Sequence, residues 1–377
     1  MKILYLMTEP FGYGGVQSDL LTLSQDLTAR GHTVYVATTE GVLLAELKSR
    51  GAIHVNLDFR FREPLSLLRT SYALRQLIRR ESIDLVAPQS VRSAIAAAFA
   101  LRAIPMRRRP PIVVTIHNIH SPQHFGYVGH ILHRCADFVI FESRYEHDRV
   151  IAGGLPATKA AIVHSGIDTD RFQPIAPSTE LQRQYALETG SSPVFGIVAR
   201  LSEEKGHHYL LNAFNTVRAQ LPQARLLIIG DGTLREPLER QVKALGLQDR
   251  VTFTGSQRNV PQYLALLDVF VLSSTRESFP LAAREAMAAG KAVIAPNIGG
   301  CPEVVDDGVT GFLFQAANVP ELAARMVAIA ADGRFRTFGT AGRNRVVALF
   351  SRRSWVDGDE RIYLEWMTRA RRRSPGK

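Results

Sequence analysis

The chain has 377 residues, 46% of them hydrophobic and 21% charged, the balance of a folded protein with room for two or three domains and a sizeable core. That excludes a disordered chain, a polytopic membrane protein and a small stapled module. The 2 cysteines, Cys135 and Cys301, lie far apart with no histidine at ligand spacing, which excludes a disulfide framework and a thiolate zinc site and fits a reducing cytoplasm. Net charge is +11, so a partner rich in phosphate is expected, whether nucleic acid, anionic lipid or a diphosphate substrate; the sign alone does not choose.

In chain order, Ile3 to Met7 is an apolar run too short for a secretory leader and reads as a first buried strand. Short β-branched runs then alternate with amphipathic stretches. HTVYVAT, SIDLVAP, PIVVTIH and DFVIFES complete the first series, and PVFGIVA, ARLLIIG, RVTFTG, DVFVLS and KAVIAP form the second. Segments such as QSDLLTLSQDLTARG and HHYLLNAFNTVRAQL carry apolar residues at helical spacing. This alternation predicts parallel α/β sheets, and two series predict two Rossmann-like domains. The expected division is residues 1–172, a linker at 173–192 interrupted by Pro174, Pro177 and Gly190, residues 193–350, and a helix with a basic tail at 351–377. Trp355, Tyr363 and Trp366 on that last helix are expected to clamp it onto other structure, the N-terminal domain being the expected partner. The longest apolar run, Ala94 to Leu101, falls well short of the roughly 20 residues of a membrane span.

Charge is unevenly placed. Between Arg60 and Pro110, 11 arginines face only Glu63, Glu81 and Asp84, and Arg369, Arg371, Arg372, Arg373 and Lys377 close the chain without an acid. In LSLLRTSYALRQLIRRE, Leu67, Ser71, Leu74 and Ile78 share one helical line while Arg75, Arg79 and Arg80 fall elsewhere. With Arg107, Arg108 and Arg109 these cations are expected to form a face that docks on an anionic membrane surface; an ordinary solvated basic face is the plain alternative.

The densest motif is Glu277-Ser278-Phe279-Pro280-Leu281 running on to Glu285. Pro280 opens a short helix that Gly290 ends, leaving backbone N–H groups where an anionic phosphate is favoured. Glu285 is placed to accept ribose hydroxyls, and Glu277 to hold sugar hydroxyls beside a leaving phosphate. Upstream, Arg200 and Lys205 follow a buried strand, at the carboxyl edge of a parallel sheet where ligands bind in open α/β folds. Cations there neutralise a diphosphate as its bond to a sugar breaks. Further on, Gly299-Gly300 and Glu303 add a turn and an acid. Gly12-Tyr-Gly14-Gly15-Val-Gln17 puts Gln17 where a dinucleotide fingerprint needs its third glycine, so a nicotinamide dehydrogenase is disfavoured. The D-x-D pairs Asp168/Asp170 and Asp357/Asp359 read as a turn or cap and as part of the terminal helical segment, not as metal ligands.

The order and spacing of Gly14-Gly15, HSGIDTDRF from His164 to Phe172, Arg200/Lys205, IIGDG from Ile228 to Gly232, the E-x7-E of Glu277 and Glu285, and GVTGF from Gly308 to Phe312 resemble the retaining, nucleotide-sugar-dependent glycosyltransferases of family 4. The resemblance implies the GT-B fold, two Rossmann-like domains with a donor/acceptor cleft between them. It implies that Arg200 and Lys205 bind the donor diphosphate, Glu285 the ribose and Glu277 the donor sugar, that Gly15 approaches the phosphates, and that His117 sits at the reacting sugar. Gly230, Thr254, Ser278, Phe279, Pro280 and Leu281 complete the expected donor site, and Gly14, His120 and His124 the expected acceptor side. Ser165, Ala199 and Asn118 stand where the family usually has Asn, Gly and Asp.

A nucleotide-sugar co-substrate with no other cofactor and no metal is therefore expected. A UDP-hexose is taken ahead of GDP-mannose as donor, and a cell-envelope glycolipid or polysaccharide precursor as acceptor. The enzyme is expected in the cytoplasm, peripheral on the inner face of the plasma membrane, with no nucleic-acid partner. The alternatives are a glycan phosphorylase or nucleotide-sugar epimerase on the same fold, and a non-catalytic basic lipid- or nucleic-acid-binding protein.

Overall fold

The computed structural model describes residues 1–12, 14–60, 64–119, 125–187, 193–331 and 333–372. Packing divides the chain into two compact units, Met1–Ser165 with Arg353–Lys377, and Gly166–Arg352.

In the first unit the order is β1 (Lys2–Leu6), α1 (Gly15–Ala29), β2 (Thr33–Thr38), α2 (Leu44–Ser49), β3 (Ile53–Asn56), α3 (Pro64–Glu81), β4 (Leu85–Pro88), α4 (Val91–Arg102), β5 (Val113–Ile116), α5 (Phe125–Cys135), β6 (Phe138–Phe141), α6 (Arg144–Ala152) and β7 (Ala160–Ile162). The strands pair in parallel in the orders β3-β2-β1-β4 and β5-β6-β7. A parallel bridge from Val86 to Ile112 joins the two sets. Strands such as LVAP and VVTI are buried at every position, as expected where helices cover both faces of a parallel sheet. On α3 the expected line is inward: Ser71, Leu74 and Ile78 are buried and Leu67 packs on the core, while Arg69, Arg79 and Arg80 are exposed. The helix also exposes Leu65, Leu68 and Tyr72, which its periodicity does not announce.

The second unit runs α7 (Thr179–Gln184), β8 (Val194–Val198), α8 (His207–Gln220), β9 (Arg225–Ile229), α9 (Arg235–Ala244), β10 (Val251–Gly255), α10 (Val260–Ala265), β11 (Val269–Val271), α11 (Leu281–Ala288), β12 (Ala292–Pro296), α12 (Cys301–Val304), β13 (Gly311–Phe314), α13 (Val319–Ala331) and α14 (Arg334–Leu349). Its parallel sheet is ordered β10-β9-β8-β11-β12-β13. The strand order reverses between β8 and β11, so the loops leaving those two carboxyl ends flank the crevice where this architecture binds ligands.

The final helix, α15 (Arg352–Arg372), carries the residues that return to the first unit. Trp355, Val356, Ile362, Tyr363 and Trp366 are buried in one cluster with Ile3 and Tyr5 and pack on Phe138. Tyr5 Oη donates to Tyr363 Oη at 3.4 Å, and the Trp366 and Phe138 rings lie 5.3 Å apart. Glu360 pairs with Arg30 and lies 2.6 Å from His32 Nε2. The division between units falls at Ser165, a few residues ahead of the expected Phe172. The cause is local: Ile167 N–H donates to the Phe350 carbonyl at 2.8 Å, and Arg352 N–H to the Ile167 carbonyl at 3.0 Å, tying that segment to the second unit. Within the stretch expected as linker, Leu181 and Tyr185 of the α7 region pack on the second unit's core.

Candidate functional site

In the second unit, β8 ends at Val198 and a 3-10 turn, Glu203–Lys205, leads through Gly206 into α8. Arg200 projects from this loop with a side chain 74% exposed, touching Glu204 at 3.3 Å. Lys205 turns inward: its Nζ donates to Glu277 Oε1 at 2.7 Å, and Ser274 Oγ donates to the same oxygen at 2.6 Å. The loops are stitched together along their backbones. Ser273 Oγ donates to the Lys205 carbonyl at 2.9 Å and Thr275 N–H to the Glu204 carbonyl at 2.9 Å. The loops after β8 and β11 thus hold one lysine against one carboxylate at the switch point.

The turn after β12 supports Glu277 from the other side. Gly300 N–H donates to the Ser278 carbonyl at 2.7 Å. Gly299 has φ of +54°, and a Cβ there would run into the Glu277 carbonyl oxygen, so only glycine lets the two loops approach this closely. Phe279 packs edge-on against Phe350, and Pro280 is the N-terminal cap of α11 rather than its first residue; Leu281 opens the helix. Four residues into that helix, Arg284 is almost wholly buried, its guanidinium 4.2 Å from the Phe279 ring centre and bonded to the Phe279 carbonyl at 3.3 Å.

Glu285 is partly buried and takes no side-chain hydrogen bond from the described residues. Loss of water contact pushes its carboxyl up to about 7, against the opposing pull of Arg171 and Arg284. At the end of β9, Gly230 has φ of +141° and its N–H donates to the Gly255 carbonyl at 2.9 Å; a Cβ would strike the Ala199 carbonyl, next to Arg200. Thr254, in β10, turns its Oγ1 to the Gly255 carbonyl at 3.1 Å. One neighbour went unseen in the sequence: His207, at the start of α8, is 1% exposed and neither ring nitrogen has a hydrogen-bond partner among the described residues.

In the first unit, Gly14 caps α1 and Gly15 is its first residue, with open space where a Cβ would stand. His117 follows β5 and is buried. Its Nε2 lies 2.8 Å from Gln89 Oε1, its Nδ1 2.8 Å from Glu142 Oε1 and 3.8 Å from Asp19 Oδ2. Gln89, His117 and Glu142 are each the first residue past the adjacent strands β4, β5 and β6, so the parallel register alone brings them together. That position, one past a strand end, is the signal that would have found Gln89 and Glu142. Although burial opposes its charge, Glu142 first and then Asp19 and Asp359 raise the His117 imidazole above its ordinary range.

Asp19, His117 and Glu142 place ligand-capable atoms within 4.8 Å of one another. Gln89 Oε1 is in hydrogen-bond range of His117 Nε2, and Nδ1 lies in ion-pair range of Glu142 Oε1 without forming a hydrogen bond. The two D-x-D pairs divide. Asp168 accepts from Arg171 N–H at 2.9 Å and from Arg352 at 2.8 Å, a turn residue as read; Asp357 pairs with Arg30 at 2.7 Å. Asp359 departs from the expectation of a plain helical residue, being 1% exposed beside the His117 group. His120, His124, the Arg107 side chain, Arg373 and Lys377 lie outside the described residues.

Residues 13–171 match the family described as Glycosyltransferase Family 4, and residues 178–345 match Glycosyl transferases group 1. The chain belongs to the GT-B glycosyltransferases. This glycosyltransferase chain superposes on Anabaena HepE, solved with UDP, with a TM-score of 0.85 and 25% identity, covering 97% of this chain and 100% of that one. The same protein has been solved with UDP-glucose. The chain is 35% identical over 223 residues to the GDP-mannose-dependent alpha-(1-6)-phosphatidylinositol monomannoside mannosyltransferase of Mycobacterium tuberculosis, taking in 56% of the chain and 57% of that enzyme. It is 27% identical over 360 residues to the sulfoquinovosyl transferase of Arabidopsis thaliana, 90% of the chain and 69% of the relative. The match thus spans less than two thirds of the mycobacterial relative's length.

Proposed function

We propose that this glycosyltransferase moves a hexose, with retention of anomeric configuration, from a nucleoside-diphosphate hexose to a hydroxyl of a cell-envelope glycolipid or polysaccharide precursor. The observation that carries the reading is the Lys205–Glu277 contact at the switch point, with Arg200 exposed in the same loop. Arg200 and Lys205 neutralise the diphosphate as the glycosidic bond breaks, when its negative charge grows. Glu277 holds the donor sugar's hydroxyls. Because Glu277 Oε1 already accepts two bonds, this carboxylate is a poor covalent nucleophile. The departing phosphate instead takes the proton from the acceptor hydroxyl, which attacks the face that the diphosphate leaves. Glu285 accepts the ribose hydroxyls, beside Gly230, Thr254, Ser278, Phe279, Pro280 and Leu281. Gly14, Gly15 and His117 are assigned to the acceptor and the reacting sugar. No cofactor beyond the nucleotide sugar is required.

UDP-hexose stands ahead of GDP-mannose because the structural relative covering 97% of the chain was solved with UDP-glucose, whereas the GDP-mannose enzyme aligns over 56%. A thermal-shift panel of UDP, GDP, ADP and their sugars tests this. A ligand at a hundred times its dissociation constant stabilises by about 2.7 kcal/mol, and a shift with GDP-mannose alone overturns the preference.

A lipid-linked acceptor calls for a membrane surface. No helix among the described residues is long and apolar enough to cross a bilayer. On α3, exposed Leu65, Leu68 and Tyr72 stand among exposed Arg69, Arg79 and Arg80, with the Arg75 guanidinium 5.3 Å from the Tyr72 ring centre. Arg108 is exposed as well, whereas Arg109 lies 3.9 Å from Asp137 and contributes less free charge than its position in the sequence implies. Each surface cation adds about 1 kcal/mol of attraction to an anionic leaflet. This face docks the chain on the inner leaflet of the plasma membrane. Flotation with anionic and neutral liposomes at low salt tests it: equal recovery from both, or undiminished binding after Arg69→Ser, Arg79→Ser and Arg80→Ser together, refutes docking.

A further inference from the structure

Arg284 is the bulkiest of the fully buried side chains among the described residues, and an arginine goes this deep only where partners hold its head group. It sits in the first half of α11, where side chains lean back towards the start of the helix. Its Nε donates to the Pro280 carbonyl at 3.4 Å and its Nη2 to the Phe279 carbonyl at 3.3 Å, with the guanidinium 4.2 Å from the centre of the Phe279 ring. That ring also meets Phe350 edge-on, centroids 5.4 Å apart. One residue earlier, the Ser278 carbonyl is taken by Gly300 N–H at 2.7 Å. Three successive carbonyls of the segment that follows Glu277 are therefore each held by a donor, two of them by one guanidinium. A planar fork fixes adjacent carbonyls in one orientation, which the freely rotating ammonium of a lysine does not. Stability alone does not call for this arrangement, since an apolar side chain of similar volume in place of a buried charge is often neutral or stabilising. What the arginine adds is orientation.

We propose that Arg284 is a positioning residue for the donor sugar: by holding the Phe279 and Pro280 carbonyls and the Phe279 ring, it fixes the loop that presents Glu277. The inference rests on the reading that gives Glu277 the hydroxyls of that sugar. Arg284 is buried and meets no substrate itself; it acts through the backbone. Phe279 follows Glu277 by two residues, so a turn of the Phe279 peptide passes directly to the carboxylate that Lys205 and Ser274 meet at 2.7 and 2.6 Å. Hydrogen bonds to a charged group are short and directional, and a small displacement of Glu277 forfeits them. The ribose is assigned to Glu285, outside this loop. Loss of Arg284 therefore falls on the sugar's share of donor binding more than on the nucleotide's.

The test compares calorimetric affinities for UDP and for UDP-glucose in the full chain, beside the melting temperature, and needs no acceptor. Arg284→Met, an apolar replacement of similar length, is expected to melt within about 4 °C of the wild type and to bind UDP within about threefold. Its affinity for UDP-glucose relative to UDP is expected to fall by at least about fivefold. Arg284→Lys keeps the charge without the fork and is expected to recover part of that ratio. A merely structural arginine would move the melting temperature and leave the ratio alone, so an unchanged ratio in Arg284→Met overturns the proposal. Should Arg284→Met fail to fold, Arg284→Lys decides: a lowered ratio in the folded protein supports the proposal and a wild-type ratio overturns it. Glu277→Ala, measured alongside, is expected to lose at least about tenfold in the same ratio. A ratio intact in Glu277→Ala overturns the reading of Glu277, and with it the basis of the inference. One lost in Glu277→Ala but intact in Arg284→Met overturns the part given to Arg284 alone. Where the wild type binds GDP and GDP-mannose in place of the uridine ligands, those two probes take their place and the comparison stands.

Discussion

Lys205 Nζ and Glu277 Oε1 stand 2.7 Å apart, although 72 residues separate them in sequence, and each is shielded from water, with side chains 23% and 9% exposed. An ion pair this sheltered is strongly coupled to whatever charge arrives beside it. In the proposed function a diphosphate competes with Glu277 for the ammonium, and the liberated carboxylate oxygen becomes free to accept a sugar hydroxyl. Lys205→Ala and Glu277→Ala are each expected to retain the fold and lower kcat at saturating donor by at least about a hundredfold, roughly 2.7 kcal/mol of transition-state stabilisation. Near-normal turnover in both variants removes the pair from the mechanism.

On the proposed reading, Glu285 links donor binding to pH. Its carboxyl, raised from 4.5 to about 7, carries a proton in mild acid and accepts hydroxyl hydrogen bonds best once it is ionised. Donor affinity is therefore expected to rise as pH passes upward through 7, by about tenfold between one unit below and the plateau. Calorimetric titration with nucleotide across that range checks it, and Glu285→Gln is expected to be weak and flat with pH. The sign for stability is opposite. The folded chain holds this proton more tightly than the unfolded one, so the Glu285 contribution to stability declines as pH rises from 4.5 to about 7.

His207 predicts a stabilising substitution. Its buried ring makes no hydrogen bond among the described residues, and burial together with Lys205 pushes its pKa down to about 4. Below its unfolded value of 6.5 the unfolded chain binds the proton more readily, so its penalty grows as pH falls towards 4. His207→Leu, of similar volume, is expected to raise stability by about 1 kcal/mol at neutral pH and by more at pH 5. Thermal melts at the two pH values measure the difference; a melting temperature lowered at both means that the ring has a partner after all.

Gly299→Ala is expected to damage stability and donor binding together. The positive φ costs about 1 kcal/mol for alanine, and the collision with the Glu277 carbonyl moves the very loop that presents Glu277. Urea titration and UDP affinity measured on one preparation test the coupling. A variant that is destabilised yet binds UDP normally separates the turn from the site.

Transfer is expected to proceed undiminished in EDTA, and the product to keep the donor's configuration at C1. An NMR time course of the reaction reads both. Inversion, or activity that returns only with added Mn²⁺ or Mg²⁺, overturns the proposed mechanism.

Strands buried on both faces were the legible part of the fold, because KILYL, VVTI and VFGIV are apolar runs that burial alone explains. The strands not foreseen are of another kind. β3 is an edge strand whose Ile53 is 45% exposed, β7 spans only Ala160–Ile162, and β13 begins on the glycine of GVTGF and passes for a turn. The Lys205–Glu277 contact was legible because the candidate donor-side residues cluster in two short segments, Ala199–Gly206 and Glu277–Glu285. The surroundings of His117 were not. Asp19, Gln89, Glu142 and Asp359 are scattered along the chain, and only parallel register and a returning helix bring them to one place.

The split composition of the first unit has a consequence for the newly made chain. As the ribosome delivers it, the sheet from β1 to β7 emerges complete but lacks the helix that covers Tyr5. That helix follows only after all of Gly166–Arg352 has been translated, a delay of roughly 10 to 40 s at ordinary elongation rates. During that interval Tyr5 and Phe138 lack the cover that the helix gives them in the folded chain. Synthesis of α15 then supplies the missing part of the first unit.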